Sequence, residues 1–307
     1  MPCEERNGNG CREEQGKSMT TPTISAIAPW FGSNRMLAHE VGKLLTGCKW
    51  VGVPFAGGMS EVAHITASTI AVNDLHRHVM NLACVVASSA GLKRFVRSLS
   101  ALPFHPDSLA YAQLHCEEME RGGWDFSKTD AKLSEKWAVN YFVSQWMGRS
   151  GNSGTDKEFS GGLPVRWNAS GGDSNTRYRS AVKSLAAWSQ IMQRCNFTTL
   201  DFRVFLAKSK DEIGHGLYCD PPFPNAGEVY QHKFSEQDQR ELRDVLRAYK
   251  KTKVVIRYYD HPLIRELYPE TEWTWHRLIG RKQSNADAPE VLITKRIHDD
   301  HTPVFLS

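Results

Sequence analysis

The chain alternates short apolar runs with polar turns at its two ends and drops that alternation in the middle. Near the start, "CKWVGVPF" (Cys48 to Phe55) reads as a buried strand halted by "AGG", and "STIAVND" (Ser68 to Asp74) is a second run closed by an acid. In "LHRHVMNLACVVAS", Leu75, Val79, Leu82 and Val86 recur at helical spacing and are expected to face a sheet. Strand, turn, helix, strand, helix is the grammar of an open α/β sheet, because parallel neighbours need a crossover between them. The grammar returns in "FTTLDF", "GHGLYC", "KVVIRYY" (Lys253 to Tyr259) and "EVLITKR" (Glu290 to Arg296). Among these lies the helix "SEQDQRELRDVLRAYKK", opened by Ser235 with Asp238 as a capping pair and lined by Leu242, Val245, Leu246 and Tyr249.

From about residue 91 to 195 the sheet rhythm stops. This stretch holds "LPFHPD", an expected helix around "EKWAVNYFVSQWM", and a glycine- and serine-rich segment. The predicted organisation is a disordered tail over 1–22, a core from 23–90 plus 196–307, and an inserted lobe over 91–195. A hydrophobic fraction of 40% against 23% charged residues is that of a chain able to bury a core. No apolar run reaches the length of a membrane span, and the polar amino terminus lacks a signal-peptide core, so a cytoplasmic, nucleoid-associated protein is expected. Seven cysteines without a close pair argue against a disulfide framework, and Cys219 reads as a small buried hydrophobe. His76 and His78, two apart, would diverge on a helix, so no metal site is expected. A net charge of +4 suits a polyanionic partner without requiring one.

Three places carry chemistry. In "VGVPFAGGMS", Gly57 and Gly58 follow a strand and would let a ligand approach the backbone. Asp74 closes the next strand, where such folds grip ribose hydroxyls, although it would also serve as the cap of the helix from Leu75. In "GLYCDPPFPN", Asp220 sits at a strand end on two prolines that lack donors, with Phe223 beside them. Upstream, "PWFGSNRML" sets Trp30 and Phe31 before an apolar-periodic helix.

"YCDPPF" is similar to the (D/N)PP(Y/F) motif of methyltransferases that act on the amines of adenine or cytosine. The order of parts resembles the Dam-type, D12-like DNA adenine methylases: "PWFGSNR" looks like their opening segment, "VPFAGG" like their "EPFxGxG" turn, and "NDLHRH" like their "NDxN" segment. The resemblance covers about residues 26–85 and 196–297 and leaves the insert unmatched. It implies a Rossmann-like sheet carrying an inserted, mainly helical and loop lobe that reads double-stranded DNA, with S-adenosylmethionine as donor, no metal, and a monomer. The implied catalytic residues are Asp220, Pro221, Pro222 and Phe223. Asp220 and the Pro221 carbonyl would accept the amine hydrogens of a flipped adenine, on which Phe223 would stack. The implied donor-binding residues are Trp30, Phe31, Arg35, Pro54, Phe55, Ala56, Gly57, Asp74, Asp201 and Phe202, while Tyr230 and Phe234 would wall the base pocket.

Two positions depart from the family pattern. Val53 stands where an acid is usual, and Asn34, followed by Arg35, where a lysine is usual; both normally help hold the methionine end of the donor. In the insert, Arg149, Lys157, Arg166, Arg177, Arg179 and Lys183 are interleaved with Trp146, Trp167 and Tyr178. Arg149, Arg166, Arg177 and Arg179 are the candidate phosphate contacts, and Asn168 and Asn175 the candidate base readers; a solvated basic loop is the alternative. Methyl transfer to cytosine or to RNA adenine, and a DNA-binding relative with an impaired donor site, remain open at this point.

Overall fold

A computed structural model describes residues 22–32, 37–123, 131–148, 152–168, 172–224, 230–277 and 289–296. Asn34, Arg35, Arg149 and all but the last residue of the amino-terminal tail lie outside them. The first sheet half comprises α1 (Ala38–Leu44), β1 (Trp50–Val53), β2 (Thr69–Asn73) and α2 (Arg77–Ala87). The middle of the chain gives α3 (Ser89–Ala101), α4 (Pro106–Arg121), α5 (Ala131–Met147) and α6 (Ser174–Met192). The second half gives β3 (Cys195–Thr198), α7 (Phe202–Lys208), β4 (His215–Cys219), α8 (Glu236–Ala248) and β5 (Lys253–Tyr259). It closes with α9 (Pro262–Leu267), β6 (Trp273–Arg277) and β7 (Glu290–Lys295).

The strands form one sheet in the order β3-β2-β1-β4-β5-β7-β6. The first five in that order run parallel, and β7 is antiparallel to both its neighbours. This is the Rossmann-like sheet expected of the sequence. Its order reverses at β1: the chain moves outward through β2 to β3, then returns to lay β4 on the other side of β1. The loops leaving β1 and β4 therefore diverge, and the crevice between them is where open α/β sheets bind ligands.

Several expectations need correction. Val79, Leu82 and Val86 are buried, but Leu75 precedes α2 and is 39% exposed. The α2 cap is His76, whose ring nitrogen accepts the Val79 N–H, rather than Asp74. β3 stops at Thr198, so Asp201 caps α7 instead of ending a strand. The capping box of Ser235 and Asp238 forms as read. β6, in "WTWHR", went unread although Trp273 and Trp275 alternate with polar neighbours in the manner of a strand.

Residues 91–195 share one core with the sheet. Phe95, Tyr141, Phe142, Tyr178 and Trp188 join the hydrophobic cluster that holds Val51, Ile70 and Val72. α5 and α6 both pack on α2, and α6 hands the chain directly to β3. Trp146 and Tyr178, read beside the basic residues of the insert, are core side chains. Their polar tips are satisfied internally, Trp146 Nε1 donating to the Ile27 carbonyl at 3.2 Å and Tyr178 Oη to that of Leu99 at 3.0 Å. Among the described residues no single helix is long and apolar enough to cross a membrane.

Candidate active site

The tips of β1, β2 and β3 are fastened by one buried amide. Asn73 Nδ2 donates to the carbonyls of Pro54 at 3.0 Å and Leu200 at 2.9 Å, while its Oδ1 accepts Thr198 Oγ1 at 2.7 Å and the Leu200 N–H at 2.8 Å. All four of its hydrogen-bonding positions are used, which fixes the loops on the left of the crevice. Asp74 continues the job: one oxygen accepts the Gly57 N–H at 2.8 Å and the other the His76 N–H at 2.9 Å. Each carboxylate oxygen keeps a further lone pair, so a ligand hydroxyl still has an acceptor there.

The two glycines of the turn also make room for the chain itself. A Cβ on Gly57, whose φ is +45°, would lie 2.8 Å from Trp30 Nε1, and one on Gly58 would lie 2.6 Å from the Ala28 carbonyl oxygen. They make room for the opening segment of the protein, and both also line the adjoining cavity. Gly154, with φ +81°, meets the same indole, where a Cβ would come within 2.6 Å. Trp30 is thus wedged between the β1 turn and a loop of the middle region, with its ring edge-on to His76 at 5.1 Å.

These loops enclose a cavity of about 410 Å³. Trp30, Phe31, Pro54, Phe55, Ala56, Gly57, Asp74, Asp201 and Phe202 all line it, as do Asp220, Pro221, Pro222, Phe223, Tyr230 and Phe234. Phe55, Phe202 and Phe234 form an aromatic triangle at one end, with ring centres 5.4 to 5.6 Å apart. Asp201 at that end is engaged by the Arg203 N–H at 2.8 Å and by the Arg203 guanidinium at 3.2 Å. Val53 is fully buried in the core, so no acid takes its place at the β1 tip.

At the other end stands Asp220, one residue past β4. The β4–β5 register pairs Cys219 with Ile256, so the next residues on the two strands are Asp220 and Arg257. Arg257 Nη1 reaches the Asp220 oxygens at 3.2 and 3.0 Å and the Gly32 carbonyl at 2.8 Å; its Nη2 reaches Glu290 at 2.9 Å. Tyr218 Oη donates to Asp220 at 3.3 Å. Burial pushes the Asp220 carboxyl above its ordinary value against the pull of Arg257, whereas its anionic neighbours outweigh desolvation and hold Arg257 firmly charged. Sequence reading missed Arg257, yet a lone cation inside the apolar run "KVVIRYY" was a signal for a buried partner. The proline turn is held from behind: Gln239 Nε2 donates to the Pro222 carbonyl at 2.7 Å, and Tyr258 Oη donates to Gln239 Oε1. Among the described residues no donor sits on the Pro221 carbonyl. Phe223 packs edge-on against Tyr259 at 4.5 Å, with the Arg257 guanidinium 5.2 Å from its ring. Cys219 is buried in the core.

Behind Trp30, His76 Nε2 and Glu158 pair at 2.7 Å, both buried, and Gln145 Nε2 donates to the other Glu158 oxygen at 3.0 Å. Burial opposes protonation of His76, but the Glu158 carboxylate overrides it and raises the imidazole. His76, Glu120 and Glu158 present ligand atoms within 4.8 Å of one another. His76 Nδ1 lies against the Val79 N–H at the start of α2, and its Nε2 is already paired with Glu158.

The candidate DNA contacts are dispersed. Arg179 donates to the carbonyls of Ser100 at 3.2 Å and Leu102 at 3.1 Å and so caps the end of α3, a structural task. Arg177 and Lys183 are exposed on α6, six residues apart, or about 240° around a helix. Arg166 is exposed and donates to the Asn168 carbonyl at 2.8 Å; beside it Trp167 is 89% exposed. Asn175 has a buried Oδ1 and does not present it to a base edge.

A sheet reversed at β1, a nucleoside-sized cavity at the reversal and an acid on a proline turn define a Rossmann-like group-transfer enzyme. The family model for D12 class N6 adenine-specific DNA methyltransferase matches residues 30–280, running through the middle region as well as both sheet halves, and the chain belongs to this family. It is accordingly a transferase that methylates adenine in DNA, which decides among the substrates left open by the sequence. A search of curated proteins finds no match.

Proposed function

We propose that the cavity takes S-adenosylmethionine along the tips of β1, β2 and β3 and receives an adenine, turned out of duplex DNA, beside Asp220. The fit rests on three features: a volume of about 410 Å³, an aromatic triangle of Phe55, Phe202 and Phe234 suited to a purine, and a buried acid, Glu61, with an unsatisfied oxygen on the same wall. When bound, S-adenosylmethionine supplies an electrophilic methyl group on a sulfonium.

The exocyclic amine of adenine is a weak nucleophile because its lone pair is delocalised into the ring. Asp220 and the Pro221 carbonyl accept its two hydrogens and favour a tetrahedral nitrogen with the lone pair exposed. Arg257 holds the Asp220 carboxylate in one orientation, and Gln239 holds the turn by its Pro222 carbonyl. No strong base is needed before attack, since the extra proton leaves after transfer. Phe223, Tyr230 and Tyr259 supply apolar walls that offset part of the unstacking cost. Arg166 and Trp167 on the exposed loop are the contacts we assign to duplex DNA, and the protein works as a monomer in the cytoplasm, at the nucleoid.

The observation that carries this reading is the placement of Asp220 and the β1 turn on one cavity at adjacent strand tips. Expression in a host lacking methyladenine tests it. Nucleoside mass spectrometry should detect N6-methyladenine with the wild type and none with Asp220→Ala, whose melting curve stays cooperative. Undiminished methylation by that variant would remove Asp220 from the reaction.

A further inference from the structure

Glu61 lies just past the β1 turn and is 3% exposed. Its Oε1 has no hydrogen-bond partner among the described residues, and Oε2 has only a 3.4 Å contact from Ser60 Oγ. A buried carboxyl with a bare oxygen is a cost that a fold rarely retains without use. The charged and titratable groups that face it are Asp220, Arg257 and Tyr218. Arg257 is committed elsewhere through both terminal nitrogens, to Asp220, Gly32 and Glu290. Arg257 Nε is itself buried without a partner. The wall of the cavity near Asp220 therefore carries one orphan acceptor and one orphan donor.

We infer that Glu61 receives the α-ammonium of the donor's amino-acid end. This inference rests on the reading of the cavity as an adenosyl-donor site. The reacting sulfur has to lie beside Asp220, and the aromatic triangle with Asp74 and Asp201 takes the adenosine, which leaves the amino-acid arm for the side where Glu61 sits. An α-amino acid is a zwitterion, and the bare Glu61 oxygen and the bare Arg257 Nε, on two residues that line one cavity, complement its two charges. Val53 offers no acid, so Glu61 supplies one from eight positions further along the chain.

The proton inventory follows. Burial, aided by the Asp220 charge, pushes the free Glu61 carboxyl up to about 8 against the weaker pulls of its backbone, Arg257 and Ser60. At pH 7 it is therefore mostly protonated. An ammonium against it favours the carboxylate, so the Glu61 O–H proton passes to solvent as the ligand binds, while the ligand keeps its own three.

Isothermal titration of the full chain at pH 7 with two ligands tests this. S-adenosylhomocysteine carries the amino-acid arm without the sulfonium charge; 5′-methylthioadenosine carries the same adenosine and thioether without the arm. The wild type should bind the first at least tenfold more tightly and release close to one proton, read from the enthalpy in buffers of different ionisation heat. Glu61→Gln should lose at least tenfold for S-adenosylhomocysteine, release no proton, and hold methylthioadenosine within twofold, which also shows that it is folded. A wild type that releases no proton, or a variant that weakens both ligands alike or neither, overturns the assignment. A wild type that binds neither ligand overturns the adenosyl-donor reading itself.

Discussion

Replacing Arg257 by methionine keeps the length and apolar stem of the side chain and deletes the cation. Asp220 and Glu290 then face each other's neighbourhood without a counter-ion, at 18% and 24% side-chain exposure. Removing one partner of a buried pair costs about 3–5 kcal/mol, and the partial exposure of both acids places this site at the lower end, ~3 kcal/mol. For a chain of this size that lowers the melting temperature by about 5 °C. Asp220→Asn in the Arg257→Met background should recover part of the loss, because it removes one of the two stranded charges. The same deletion acts on the reaction. Without the guanidinium, burial pushes the Asp220 carboxyl further up, so on the proposed mechanism, in which the carboxylate accepts from the amine, methyl transfer falls at neutral pH and its acidic limb moves to higher pH. Thermal unfolding of the four proteins and pH–rate profiles on duplex DNA read both effects. A drop below ~2 °C for Arg257→Met, or an Asp220→Asn effect identical in both backgrounds, would show that the pair does not bear on stability.

Gly57→Ala places a methyl against the Trp30 indole at a positive φ and should cost at least ~1–2 kcal/mol, seen as a lower melting temperature together with weaker donor binding. Glu158→Gln removes the anion that raises His76. That contribution is fully present below the imidazole's unfolded value and is lost as pH rises through its folded one, so the variant's deficit in melting temperature should be larger at pH 6 than at pH 9. Trp167→Ala, at an exposed position, should leave the melting temperature within ~1 °C and weaken binding to duplex DNA; unchanged DNA affinity would take this loop out of the interface.

The sequence disclosed the strands and the acid–proline turn because buried parallel strands are continuous apolar runs and proline admits few alternatives. It also disclosed most cavity residues, since they sit where those runs stop. Arg257 stayed hidden because its partner is set by β4–β5 register, which no local pattern encodes. That the glycine turn also accommodates Trp30 and Ala28 stayed hidden, because those atoms approach from a segment well separated in the chain. Asp74 and Asp201 were recognised as acids at the right ends, but their backbone donors depend on loop geometry. The sequence could not show that Arg179 also donates to the carbonyls at the end of α3, because charges counted along a chain say nothing of their partners.

Ser153 accepts the Phe31 N–H at 3.3 Å, Gly154 accepts the Gln231 N–H at 3.1 Å, and Thr155 forms a β-bridge with Tyr230. A few residues from the middle of the polypeptide are thereby stitched into both lips of the cavity. If the middle region reads the target sequence, as the resemblance implies, exchanging it between related enzymes would replace part of the cavity too. Chimeras with breakpoints placed outside 152–158, so that the recipient keeps its own stitch, are the ones that should retain turnover.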